Sequence, residues 1–208
     1  MKTKQTWTGG GFKLTFELCT RRLACVLGKT AWCAGLVGFL FGATVGVADE
    51  VSGLTEYQIK ALFLFNFAKY AYWPAEAFPQ AETPITIGVL GENHFGDDLA
   101  KVVEGKLVSG RKIVVLPVDN ESDWGKCQIL FISGSEKKRM TDILAKVKGQ
   151  AVLTVGETEQ FNEQGGMIQF TKREGKVRLE VNLDAAREAR VQISAKLLSV
   201  ADRVKGKP

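Results

Sequence analysis

Histidine is almost missing from this chain. His94 is the only one, so a Ser-His-Asp triad can be assembled only around that residue. Cysteine is scarce in a position-dependent way: Cys19, Cys25 and Cys33 fall within the first 48 residues, which leaves Cys127 alone in the rest. A single cysteine cannot close an internal disulfide, so its thiol is either buried or paired between chains. Its place in the apolar run Cys127-Gln128-Ile129-Leu130-Phe131-Ile132 favours burial. Past residue 48 there is no CxxC, no His/Cys cluster and no zinc-type spacing, so no metal or cofactor is expected. The same region lacks any hydrophobic run long enough to span a membrane.

A charge excess is missing there too. The whole chain carries 28 Lys+Arg against 23 Asp+Glu, a net +5 that invites a nucleic-acid reading. Residues 1–48 hold Lys2, Lys4, Lys13, Arg21, Arg22 and Lys29 against Glu17 alone, so the remainder has 28 − 6 = 22 basic and 23 − 1 = 22 acidic residues. The basicity belongs to the leader, and no nucleic-acid partner is expected.

What the leader does contain is an order of parts. Arg21, Arg22 and Lys29 precede the uncharged stretch Ala31 to Val47, which ends in Gly46-Val47-Ala48 before Asp49-Glu50. A basic region, an apolar region and a small-residue exit make an export signal. An uncleaved inner-membrane anchor is the competing reading, disfavoured by seventeen residues with four glycines; a buried core helix is the third. The expected organisation is therefore 1–48 as signal peptide or anchor and 49–208 as one domain in the periplasm.

Within 49–208, apolar spacing predicts a helix over 56–72, with Ile59, Leu62, Phe63, Phe67 and Tyr70 inward and Trp73-Pro74 ending it. Strands are expected at 85–90, 112–118, 128–133 and 151–155, with a helix over 95–103 and another capped by Ser135 and running to Lys148. The charged start Glu136-Lys137-Lys138-Arg139 reads as a solvated face. Residues 167–171 and 177–181 form a hairpin around Arg173-Glu174-Gly175, and 183–204 reads as one long closing helix with Ala186, Ala189, Ile193, Leu197 and Val200 inward. The sum is an α/β fold: a single-domain mixed, mostly parallel sheet with helices on both faces and a C-terminal β-hairpin plus long helix.

Two sets of candidate site residues stand out. The first helix carries aromatics around much of its circumference, more than one buried stripe needs. Phe65, Phe67, Tyr70, Tyr72 and Trp73 are either covered on both sides by the fold or in part a partner- or dimer-binding surface. Gly88 and Gly91, with Asn93 and His94 next, sit at a strand end where open α/β sheets bind ligands; a tight turn is the plainer reading. Glu163, Gly165 and Gly166 form either a turn or a recognition loop.

Four segments together resemble the YfiR/HmsC family of exported regulators in Gram-negative bacteria: Lys60 to Tyr70 continuing to Trp73-Pro74; Gly88-Val89-Leu90-Gly91; Cys127 to Ile132; and Phe161 with Gly165-Gly166-Met167-Ile168. Val177 to Asn182 and the segment to Leu198 and Ala201 also fit, so the resemblance spans roughly 55–202. It implies a non-enzymatic periplasmic protein that lowers cyclic-di-GMP and biofilm formation by binding the periplasmic part of an inner-membrane diguanylate cyclase and repressing it. It also implies release by an outer-membrane lipoprotein or by redox stress; a homodimer is a separate expectation that rests on the aromatic helix. Two departures bear on this. Gln128 stands where many relatives carry His, and the cysteine pair used for disulfides in some relatives is absent. The alternative class is a periplasmic small-ligand-binding or hydrolytic protein without a signalling partner.

Overall fold

A computed structural model describes residues 53–206; the leader, on which the export and anchor expectations rest, lies outside the described residues. Helix α1 (Glu56–Tyr70) opens on a reciprocal cap. The Thr55 hydroxyl accepts from the Gln58 N–H at 3.2 Å, and Gln58 Oε1 accepts from the Thr55 N–H at 3.0 Å. It ends before the short strand β1 (Ala71–Tyr72). Then follow β2 (Ile85–Leu90), α2 (Asp98–Val103), β3 (Leu107–Val108), β4 (Arg111–Pro117), α3 (Glu121–Trp124) and β5 (Ile129–Ile132). A 3-10 segment (Gly134–Arg139) leads into α4 (Met140–Val147), β6 (Leu153–Gly156), β7 (Ile168–Arg173) and β8 (Lys176–Asn182). The chain closes through α5 (Leu183–Glu188), β9 (Gln192–Ile193), α6 (Ala195–Leu198) and β10 (Arg203–Lys205).

Eight strands form one sheet in the order β10-β8-β7-β6-β5-β2-β4-β3, and β1 pairs with β9 apart from it. Strands β4, β2, β5, β6 and β7 are mutually parallel, while β3 and β8 run antiparallel to their neighbours β4 and β7. Numbered by chain order within the parallel set, this is 2-1-3-4-5, a doubly wound order whose direction reverses between β2 and β5. Alternate residues feed two cores. Ile129 and Phe131 face the core built with α1, α2, α5 and α6, whereas Leu130 and Ile132 face one built with Trp124, Met140, Ile143, Leu144 and Val147. The mixed, mostly parallel sheet with helices on both faces is as expected, and so is the hairpin. Its turn places Glu174 and Gly175 at φ 51° and 73°, the two left-handed residues that a type I′ turn requires.

The long closing helix does not form. The segment 183–204 breaks into α5, β9, α6 and β10. Helix α5 stops at Ala189, Arg190 turns left-handed at φ 58°, and β9 pairs antiparallel with β1 through Ala71↔Ile193. Ser194 then caps α6. Ala186, Ala189 and Leu197 are buried as expected, but Val200 is exposed. Helical spacing is equally well met by two short helices separated by a whole number of turns, and the β-branched pair Val191 and Ile193 favours the extended break. Three smaller corrections have local causes. The 95–103 helix starts only at Asp98, because Gly96 sits at φ 53°. The helix after β5 is capped by Ser133, not Ser135, and its first turns are 3-10. In α1 the fully buried positions are Ala61, Leu64, Phe67 and Ala68, while Leu62, expected inward, faces out. Two alanines let the helix lie close to the sheet, and aromatics on every side blur the stripe.

Candidate functional site

Open α/β sheets bind ligands beyond the carboxyl ends of their strands at the point where strand order reverses, here past β2 and β5. That crevice is filled by the chain itself. Glu157, just past β6, reaches across so that its Oε1 accepts the Gly134 N–H at 2.8 Å, the place an anion takes at the start of a helical segment. Its Oε2 accepts from the Tyr57 hydroxyl at 3.1 Å and from Lys60 Nζ at 2.7 Å. Lys60 also pairs with Glu56 at 2.7 Å, and its side chain is only 5% exposed. Burial, then the Glu157 charge, pushes the Tyr57 phenol well above its ordinary range. The Tyr57 ring lies 5.1 Å from that of His94 and edge-on to Phe95 at 5.4 Å. The start of α1 is thereby fastened over the switch point.

The candidate ligand residues take their places around this plug. Gly88 is a packing position: a Cβ there would lie 2.6 Å from Cys127 Sγ. Gly91, at φ 86°, turns the chain, and Ser135 Oγ accepts the Glu92 N–H at 2.9 Å to pin the loop. Asn93 Oδ1 accepts the Phe95 N–H at 3.0 Å, an Asx turn, and His94 Nε2 lies 3.6 Å from Glu92. Glu163 and Gly165 are exposed at a distant loop, so the structure does not bring them together with Gly88 and Gly91. Gly166 faces the Phe161 ring, which is sandwiched between Gly156 and Gly166 with no room for a Cβ on either. Gly165 borders a cavity of about 370 Å3 floored by Thr154, Met167 and Asn182.

The aromatic candidates divide by burial. Phe67 is completely buried, flanked by the Phe63 ring at 6.1 Å and the Phe170 ring at 5.9 Å, and so leaves the candidate surface. Trp73 is half-buried and donates from Nε1 to the Gln128 carbonyl at 2.9 Å. Gln128 ties the region further, accepting from the Thr86 N–H at 2.8 Å and donating to the Ala77 carbonyl at 2.9 Å. Tyr72 is 55% exposed, Phe65 and Tyr70 are half-buried, and Leu62, which spacing had turned inward, is 39% exposed beside them. Lysines rim these rings: Lys106 Nζ stands 4.4 Å from the Phe65 centroid and Lys196 4.9 Å from that of Tyr70. Lys196, with Lys69, holds the Tyr70 phenol below its ordinary range.

Cys127 is buried and free, and burial followed by the Asp123 charge pushes its thiol up to about 11. Among the described residues no three His, Cys, Asp or Glu side chains converge as metal ligands, and no helix is long and apolar enough to cross a membrane.

The YfiR/HmsC-like family model matches residues 57–202, from the Tyr57 that closes the crevice to the Asp202 beyond α6. The chain belongs to that family. Among curated proteins none matches it. A conserved domain protein from Vibrio cholerae O1 biovar El Tor is similar at 14% identity and a TM-score of 0.48, over 73% of this chain and 61% of that one. An ABC domain in complex with L-Trp from Streptococcus pneumonia is similar at 13% identity and a TM-score of 0.40, over 57% of this chain and 54% of that one. The chain thus spans less than two thirds of either solved structure.

Proposed function

We propose that this protein is an exported, non-enzymatic regulator that binds and represses the periplasmic part of an inner-membrane diguanylate cyclase. The observation that carries the reading is membership of the YfiR/HmsC-like family across 57–202, a family of regulators with a diguanylate cyclase partner. The leader's basic, apolar and small-residue order supports export. The outward face of α1 and β1 supports the contact: Leu62, Phe65 and Tyr72 offer apolar area, and Lys69, Lys106 and Lys196 supply a basic rim suited to a partner with acidic edges.

Deleting the gene should raise cyclic-di-GMP where the cyclase is expressed, and do nothing in a strain lacking the cyclase. Tyr72→Glu and Leu62→Glu should each weaken repression about tenfold or more while leaving the melting temperature nearly unchanged, since both side chains are exposed. Fractionation should find the protein outside the cytoplasm. An unchanged cyclic-di-GMP level on deletion sinks the reading; repression intact in both variants moves the contact off this face.

A further inference from the structure

We infer that the sheet carries a second docking surface, on the face opposite α1, for an acidic extended segment of another polypeptide. Helices α3 and α4 cover that face over β2, β5 and β6, where they meet Leu90, Leu130 and Ile132. Beyond β6 only the loop around Asn162 continues the cover: the Asn162 N–H donates to Gln169 Oε1 of β7 and its carbonyl accepts from Asn182 Nδ2 of β8, and the Gln169 and Asn182 side chains are buried there. The rest of β7, β8 and β10 has no helix over this face. Strand alternation and register place Thr171 and Arg173 of β7, Lys176, Arg178 and Glu180 of β8, and Arg203 and Lys205 of β10 together on the uncovered side. Residues 177, 179, 181 and 204 point to the other side, where Leu179 and Val181 join the α1 core.

Within the strands this grid holds five cations against the single acid Glu180; Asp202 reaches its edge from the loop before β10, Glu159 lines the cleft beside Thr171, and Asp184 lines the cavity beside Lys205. Arg173 pairs with Glu180 at 3.1 Å and lies 3.8 Å from Asp202, and Arg178 lies 3.7 Å from Asp202. Lys176, Arg203 and Lys205 make no ion pair among the described residues. Such a local surplus is notable because the chain after residue 48 balances to zero, so the patch is a directional feature and not a general basicity. A second observation lies at its middle. Thr171 and Arg178 face each other across the β7–β8 ladder, and Thr171 Oγ1 and Arg178 Nε both lack hydrogen-bond partners. Both atoms are shielded from water, but the Arg178 side chain as a whole is 41% exposed, so its outer guanidinium N–H groups can donate to a carboxylate laid over the ladder. A row of carboxylates on an extended chain matches the strand spacing of the cations. Because α1 lies on the other face, this surface stays open whether or not α1 is engaged, and the inference does not rest on the cyclase reading.

The test is binding of the purified protein to a short fluorescent poly-L-glutamate, with anionic phosphatidylglycerol vesicles in parallel. Poly-glutamate should bind at low salt and weaken steeply as salt rises. The double variant Lys176→Glu/Lys205→Glu, which breaks no ion pair, should weaken binding about tenfold or more with an unchanged circular dichroism spectrum. Arg178→Glu should do the same; if it fails to fold, the lysine variant decides. Absence of poly-glutamate binding at low salt, or equal binding by the lysine variant, overturns the inference. Binding to the vesicles without binding to poly-glutamate also overturns it, and would assign the face to a membrane surface.

Discussion

Lys60 is a buried cation held by two carboxylates, and its neighbours depend on the same arrangement. Removing Glu157 would strand three donors together: the Gly134 N–H, the Tyr57 hydroxyl and half of the Lys60 ammonium's coordination. Breaking a buried pair from one side costs about 3–5 kcal/mol, because the remaining charge is uncompensated. Glu157→Ala should therefore lower unfolding stability by about 3 kcal/mol, with Glu157→Gln losing less because its amide oxygen still accepts from Gly134. Urea denaturation of both variants checks the order, and equal stabilities for Ala, Gln and wild type would refute it. None of this was legible in the sequence. Glu157 lies in no motif and meets its partners across 97 and 100 residues of chain. His94, which did stand out, turned out to pack on Tyr57 beside that cluster.

At the scale of elements, what could be read were the segments whose pattern has one structural solution. Ile85 to Leu90 is a strand end to end, and the 168–182 hairpin follows its alternation and its Glu-Gly turn. The closing segment had two solutions, and the choice between them was made by β1, which offers Ala71 and Tyr72 as partners for β9. That partner cannot be inferred from residues 183–204 alone. The Gly165-Gly166 pair was legible as a required feature but not for its reason, which is the Phe161 ring wedged against Gly156 and Gly166. Gly166→Ala should destabilise the fold by about 1–3 kcal/mol through overpacking, whereas Gly149→Ala, open around its Cβ but at φ 72°, should cost only its backbone strain of about 1 kcal/mol. Denaturation midpoints measure both, and a Gly166 variant as stable as wild type would contradict the wedge.

Across the described domain, one weakly acidic group on each face of the sheet is held in its neutral form: a part-buried phenol and a buried thiol. Tyr57 on the α1 face and Cys127 on the α4 face both have raised pKa values, with burial as the first cause. A group whose pKa is raised on folding stabilises the protein fully below its unfolded pKa and loses that contribution as pH rises. For Cys127 the loss runs from pH 9.0 to about 11, and for Tyr57 it begins at pH 10.0. Glu56 acts in the opposite direction: Lys60 lowers its pKa, so its contribution is present above pH 4.5 and fades as pH falls further. Stability measured in urea should therefore decline above pH 9, and Cys127→Ala should flatten the decline between 9 and about 11. An unchanged slope in that variant would show that the thiol does not titrate on unfolding.

The small β1–β9 ladder has a consequence in time. Ala71 is made early, and its partner Ile193 follows about 120 residues later. Phe67, which already has the Phe63 ring beside it in α1, likewise waits for Phe170 as its second ring partner. At a synthesis rate of about 5–20 residues per second, the interval between Ala71 and Ile193 is roughly 6–25 s. The first helix is thus made early and meets α2 and Phe95 soon after, but its contacts with Phe170 and its link through β1 to β9 can close only once nearly the whole domain exists.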